Sequence, residues 1–144
     1  RGNDYIPLMK VIADHSQILM MGAEEAEKIY GTDQIGQVCH AAFSSGNLHY
    51  LALKKGADGA WVSDGREIIA IPPHPCFCTD PVGAGDAFNA GFLSGILEEK
   101  ELELCGRMGA IAGAMATESR GDTEGIPDRD ILDQILQQQD QVYR

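Results

Sequence analysis

Two short apolar runs constrain the fold of this chain more than any other feature. Ile18-Leu19-Met20-Met21 ends at Gly22, and Tyr50-Leu51-Ala52-Leu53 follows some thirty residues later. Each is too short for a core helix and reads as a buried strand. Between them lie two stretches of helix-compatible sequence. Ala23–Tyr30 is rich in helix formers and closed by Gly31; a second helix is predicted from Thr32-Asp33 to about Phe43. Strands and helices mixed in this order predict an α/β fold with a largely parallel sheet.

The remaining pattern extends that reading. Leu8-Met9-Lys10-Val11-Ile12, after Pro7, predicts a short helix. Gly56 and Gly59 bracket a turn. Ala60-Trp61-Val62 and Glu67–Ile71 flank Ser63-Asp64-Gly65-Arg66, and Asp-Gly between β-prone runs predicts a hairpin over about 60–71. Pro72, Pro73 and Pro75 end that ladder. From Gly83 to Glu99, Phe88, Phe92, Leu93, Ile96 and Leu97 fall at helical spacing, with Gly91 and Gly95 allowing close contact on the other side. Leu102 to about Thr117 predicts a helix buried between layers. Gly121–Gly125 is a loop. The final amphipathic helix, Pro127–Gln139, carries Ile131, Leu132, Ile135 and Leu136 on one face.

Composition excludes several classes of protein. The 144 residues amount to one domain; 44% are hydrophobic and 23% charged, which excludes a disordered tail, a collagen repeat and a coiled-coil rod. No apolar run approaches the roughly 18 residues of a membrane span. A net charge of −11 argues against nucleic acid as a partner, but one local pocket still takes a small anion. Cys39, Cys76, Cys78 and Cys105 match neither a zinc nor a redox motif and form no disulfide scaffold, so a reducing cytoplasm is the expected compartment. The four histidines are scattered and predict no metal site of their own. Arg1 opens the chain without Met or a signal pattern, and the start reads as the middle of a longer protein.

The chemistry is concentrated in Asp80-Pro81-Val82-Gly83-Ala84-Gly85-Asp86-Ala87-Phe88. Gly-Ala-Gly opens a helix directly. Small residues let a ligand approach the main chain, and the first-turn N–H groups of a helix point outward at its positive end. That combination suits a phosphate in transfer. A carboxylate at Asp86 opposes simple phosphate binding, but it suits proton removal from a hydroxyl attacking phosphorus. The competing structural reading is that the glycines serve helix packing and Asp86 caps the helix.

This string resembles the C-terminal signature of the PfkB, or ribokinase-like, family of carbohydrate kinases. Leu51-Ala52-Leu53-Lys54-Lys55-Gly56-Ala57-Asp58-Gly59-Ala60 is similar to the strand, Lys-x-Gly and hairpin that the family carries. The Ala-rich helix Ala110–Thr117, the loop Gly121–Gly125 and the helix from Pro127 fit the family's close. Two positions depart. The family's Asn-x-x-Glu reads Gly22-Ala23-Glu24-Glu25, and its Asp-Thr-Thr reads Asp80-Pro81-Val82, similar to 2-dehydro-3-deoxygluconate kinases.

The resemblance implies a three-layer αβα ribokinase-like domain of which residues 1–144 are the C-terminal portion, with the N-terminal half and lid absent. It implies phosphoryl transfer from ATP with Mg²⁺ to a primary hydroxyl of a small-molecule sugar or sugar acid, 2-dehydro-3-deoxygluconate first, with fructokinase- or ribokinase-type activity as alternatives. Asp86 would be the base and Gly83, Ala84 and Gly85 the anion hole. Lys54, Gly56, Ala57 and Gly59 would lie along ATP, and Ala112, Gly113 and Ala116 would line its adenine pocket. Glu25 would act indirectly on Mg²⁺, and Asp80 and Val82 would sit at a monovalent cation such as K⁺. The full-length protein would be a cytoplasmic homo-oligomer with no nucleic-acid or membrane partner; the 144 residues alone would be inactive. A non-catalytic nucleotide-binding fragment is the alternative from another functional class.

Overall fold

The computed structural model describes residues 5–121 and 123–142. Two units make up the chain, residues 1–70 and 71–144.

In the first unit, α1 (Ile6–Asp14) starts with Pro in its first turn, where a missing N–H costs nothing. β1 (Ile18–Gly22) leads into α2 (Ala23–Tyr30), which ends at Gly31 with φ +75°. α3 (Ile35–Phe43) begins after the expected Thr32-Asp33, because the Thr32 hydroxyl accepts the Gln34 N–H at 3.1 Å and makes a turn there. β2 (Tyr50–Lys54), β3 (Ala60–Ser63) and β4 (Ile68–Ile71) follow.

The sheet has the order β1-β2-β3-β4. β1 runs parallel to β2, with Met21 opposite Leu53; β2 runs antiparallel to β3, with Leu53 opposite Trp61. The α/β class is as expected, but the sheet is mixed rather than largely parallel. Helices α2 and α3 return the chain for a parallel partner, whereas the tight turn Gly56–Gly59 joins only antiparallel strands. The core of this unit is built by Met21, Ala26, Val38, Ala42, Leu51 and Leu53. At the hairpin, Asp64 Oδ1 accepts the N–H groups of Arg66 and Glu67 at 2.9 and 3.0 Å.

In the second unit, residues 72–83 form no helix or strand. α4 (Ala84–Leu97), α5 (Leu102–Ala116) and α6 (Arg129–Val142) follow. α4 and α5 meet through glycines. A Cβ on Gly91 would stand 2.5 Å from the Met108 carbonyl oxygen, and one on Gly95 would stand 2.8 Å from Cys105 Cα. Gly109 and Gly113 face Phe88 and the Ala84 carbonyl from the other helix. Gly91 and Gly95 therefore share the seam with Phe88 instead of lying across the helix from it. Leu97, expected on the buried face, is 83% exposed. α5 lies between α4 and α6: Met108 and Ile111 pack with Leu132 and Leu136. Arg129 ties α6 to α4 by pairing with Glu98, and it pairs with Asp133 within its own helix at 3.0 Å. No helix among the described residues is long and apolar enough to cross a membrane.

Candidate functional site

The loop before α4 is built around Gly83, whose φ of +81° suits glycine and turns the chain into the helix. Val82 donates its N–H to Asp80 Oδ1 at 3.0 Å, and Ala84 donates to the Pro81 carbonyl at 3.3 Å. Among the described residues the N–H groups of Gly83, Gly85 and Asp86 have no hydrogen-bond partner. The unpartnered amides are thus those of Gly83, Gly85 and Asp86, while Ala84 is engaged. Gly85 and Asp86 are exposed. The Asp86 carboxylate makes no hydrogen bond or ion pair among the described residues, and α4 has no side-chain cap. The capping role for Asp86 is therefore excluded. An acidic group in the first turn is favoured by the helix dipole, and it stands open beside free donors.

This loop is held from behind. Thr79 and Asp80 both donate their N–H groups to the Thr117 carbonyl, at 2.7 and 3.0 Å, and Phe77 donates to Glu118 Oε1 at 3.0 Å. The Thr117 hydroxyl bonds the Ala114 carbonyl at 2.7 Å and approaches Cys76 Sγ at 3.6 Å. Sequence reasoning missed Thr117 and Glu118. Their only signal was their place just after the Ala-rich helix, and a link across some forty residues is not visible in a linear pattern.

In the first unit, a depression of about 600 Å³ opens at the carboxyl ends of β1 and β2. Gly22, Glu25, Lys54, Lys55, Gly56 and Asp58 are among its lining residues. Open α/β sheets hold ligands at this end of their parallel strands. Glu25 Oε2 accepts the Gly22 N–H at 2.7 Å, so one carboxylate oxygen closes the start of α2. Gly56 and Gly59 have φ of +56° and +86°, Ala57 is exposed in the turn between them, and the Lys55 N–H bonds the Gly59 carbonyl at 2.8 Å.

Ala112, Gly113 and Ala116 lie on the buried side of α5. Ala112 and Ala116 are 4% and 2% exposed, and Gly113 abuts the Ala84 carbonyl and Phe88. Their small size serves helix packing. No group of three or more His, Cys, Asp or Glu side chains among the described residues is placed to hold a metal. The four cysteines are free; Cys39 and Cys105 are buried, Cys76 and Cys78 exposed. Burial pushes the Cys39 thiol up, against a hydrogen bond with Ser63 that lowers it.

Comparison with known proteins places this architecture. An uncharacterized sugar kinase of Archaeoglobus fulgidus is 34% identical over 119 residues, covering 83% of this chain and 47% of the relative. The 2-dehydro-3-deoxygluconokinase of Bacillus subtilis is 32% identical over 96 residues, covering 66% and 30%. The crystal structure of the Methanocaldococcus jannaschii nucleoside kinase, an archaeal member of the ribokinase family, superposes with a TM-score of 0.79 at 26% identity, covering 92% of this chain and 44% of that one. The chain spans less than half the length of each of these relatives. The fold is ribokinase-like, and with the pfkB family carbohydrate kinase pattern matching residues 4–129, the chain belongs to that family.

Proposed function

We propose that residues 1–144 supply the nucleotide- and phosphoryl-handling portion of a single ribokinase-like domain, in a longer ATP-dependent kinase. The supporting observation is the open carboxylate of Asp86 in the first turn of α4, beside the unpartnered amides of Gly83 and Gly85. In this reading the acceptor hydroxyl gives its proton to Asp86 as its oxygen bonds to the γ-phosphorus, and the bond from that phosphorus to ADP breaks. The two amides stabilise charge developing on the transferred group. The depression at the ends of β1 and β2, with Lys54, Lys55 and Gly56, serves the nucleotide.

The described residues do not form a cage for Mg²⁺ or K⁺. Glu25 commits one oxygen to Gly22, and Asp80 commits one to Val82. Magnesium in this reading is carried by the phosphates of ATP, as such hard ions commonly are.

The acceptor is a small molecule with a primary hydroxyl. Asp80-Pro81-Val82 favours the sugar acid 2-dehydro-3-deoxygluconate, while the names of the relatives extend to other sugars and to nucleosides. The test is coupled ATP consumption by the full-length protein with a panel of sugar acids, sugars and nucleosides, each product identified by mass. A phosphorylated acceptor supports the reading. ATP binding with no phosphorylated product from any acceptor would overturn it and leave a nucleotide-binding module.

A further inference from the structure

Gln139, near the end of α6, joins three segments of the second unit. Its Oε1 accepts two N–H groups of Arg107 on α5, from Nε at 3.2 Å and from Nη2 at 3.0 Å. Arg107 is itself anchored, with Nη1 2.9 Å from Asp140 Oδ1. A guanidinium only donates, so the amide of Gln139 must turn its oxygen to Arg107 and its NH2 group the other way. There the NH2 group donates to His74 Nδ1 at 3.1 Å. Arg107 thus sets the orientation of Gln139, and Gln139 selects the neutral imidazole with its proton on Nε2.

His74 opens the segment that runs into the loop before α4. Pro72, Pro73 and Pro75 carry no N–H group, which leaves few main-chain donors to anchor this stretch. Further along, Phe77 donates its N–H to Glu118 Oε1 at 3.0 Å, and Thr79 and Asp80 donate theirs to the Thr117 carbonyl. The charged groups around His74 are Glu118, just past α5, and the Arg107–Asp140 pair behind Gln139. Burial disfavours the charged imidazole, and Glu118 works against that.

We propose that Gln139 is a positioning residue for the loop before α4: held in one orientation by Arg107, it clamps neutral His74 and the segment 74–80 behind it, and protonation of His74 opens the clamp. A proton on Nδ1 sets donor against donor. Gln139 cannot turn its oxygen to the imidazolium without turning its NH2 group onto Arg107. The imidazolium is drawn instead to Glu118, the carboxylate that holds the Phe77 N–H. The disturbance passes along the chain to Thr79 and Asp80, and from there to the N–H groups of Gly83 and Gly85. The inference rests on the reading of that loop as the phosphoryl-handling site, and it adds a device that makes the site sensitive to acid.

The test uses the full-length protein without ATP or acceptor. Hydrogen exchange, corrected for its intrinsic pH dependence, follows the peptide carrying the Phe77, Thr79 and Asp80 amides from about pH 8 to about pH 5. Protection is expected to fall by about fivefold as His74 takes up its proton, the worth of one neutral hydrogen bond. Nitrogen-15 spectra of the imidazole should show the Nε2–H tautomer at the alkaline end. Gln139→Met keeps the length but cannot donate. Its segment should already be loose at the alkaline end and should match the parent at the acid end. Gln139→Glu accepts from a protonated Nδ1 and should abolish the acid loss. Protection in the parent that ignores pH, or an acid loss that persists in Gln139→Glu, would overturn the inference. So would a Gln139→Met variant equal to the parent at the alkaline end, or one lowered equally at both ends, which would make Gln139 a packing residue alone. These readouts need no turnover, so a pH-gated segment in a protein that phosphorylates no acceptor would count against the proposed function alone.

Discussion

Gly91 of α4 stands so close to the Met108 carbonyl of α5 that even a methyl group would lie 2.5 Å from that oxygen. The contact is backbone to backbone, so no flexible side chain can yield. Gly91→Ala is expected to destabilise the protein by about 1–3 kcal/mol, the usual range for overpacking. Gly36→Ala, in α3 with nothing within 4 Å, should stabilise by up to about 1 kcal/mol through helix propensity. Thermal midpoints of the two variants, moving in opposite directions, check the pair.

Asp86→Asn separates chemistry from folding. Asparagine keeps the shape but cannot accept the proton. Under the proposed function, turnover by the full-length protein is expected to fall by about 10²–10⁴-fold. The thermal midpoint should fall only slightly, through the loss of one negative charge at the positive end of α4, because the carboxylate makes no hydrogen bond or ion pair among the described residues. ATP affinity, measured by calorimetry, should be retained. Activity within a few-fold of the parent would remove Asp86 from the mechanism.

Gly83 and Gly85 should respond in opposite ways to alanine. Gly83 has φ +81°, so Gly83→Ala is expected to cost about 1–2 kcal/mol of stability. Gly85 lies inside the first turn of α4, is exposed and has an ordinary backbone. Gly85→Ala should leave the midpoint unchanged or raise it, while raising the Michaelis constant for ATP, because a methyl group there obstructs the approach of phosphate to the main chain. Equal losses of stability in both variants would indicate that Gly85 serves packing.

His74 provides a pH test. Burial holds its pKa below the ordinary 6.5, against the charge of Glu118, which raises it. Its Nδ1 accepts the Gln139 side-chain N–H at 3.1 Å, an arrangement that needs that nitrogen unprotonated. The unfolded chain therefore binds the proton more readily. The contribution is fully present above about pH 6.5 and is lost as pH falls from there through the depressed folded value. The midpoint should drop over that window, and His74→Asn should flatten the drop.

What was legible in the sequence was local. Gly31 closed α2 where it was expected, and Asp64-Gly65 made the hairpin, because a left-handed glycine or an Asx turn leaves its mark within four residues. The start of α3 was displaced by a competing turn at Thr32 that is equally local but was read as a cap. The α4–α5 seam was not legible. Hydrophobic periodicity weights large side chains, so it set Leu97 inside and Gly91 on the far side, whereas the close approach of two backbones depends on the partner helix. The open first turn of α4 was legible as a string; its anchoring on Thr117 was not.

The glycine seam has a consequence for aim. The azimuth of α4 is fixed by bare backbone pressing on α5, and its first turn is pinned to the far end of that helix through Thr79 and Asp80 on one carbonyl. The direction of the Gly83 and Gly85 amides is therefore set by helix packing at Gly91 and Gly95 and by the hold of the Thr117 carbonyl on the loop. Small recoils of α5 would turn those dipoles and draw the Thr117 carbonyl away from the two N–H groups that hold the loop.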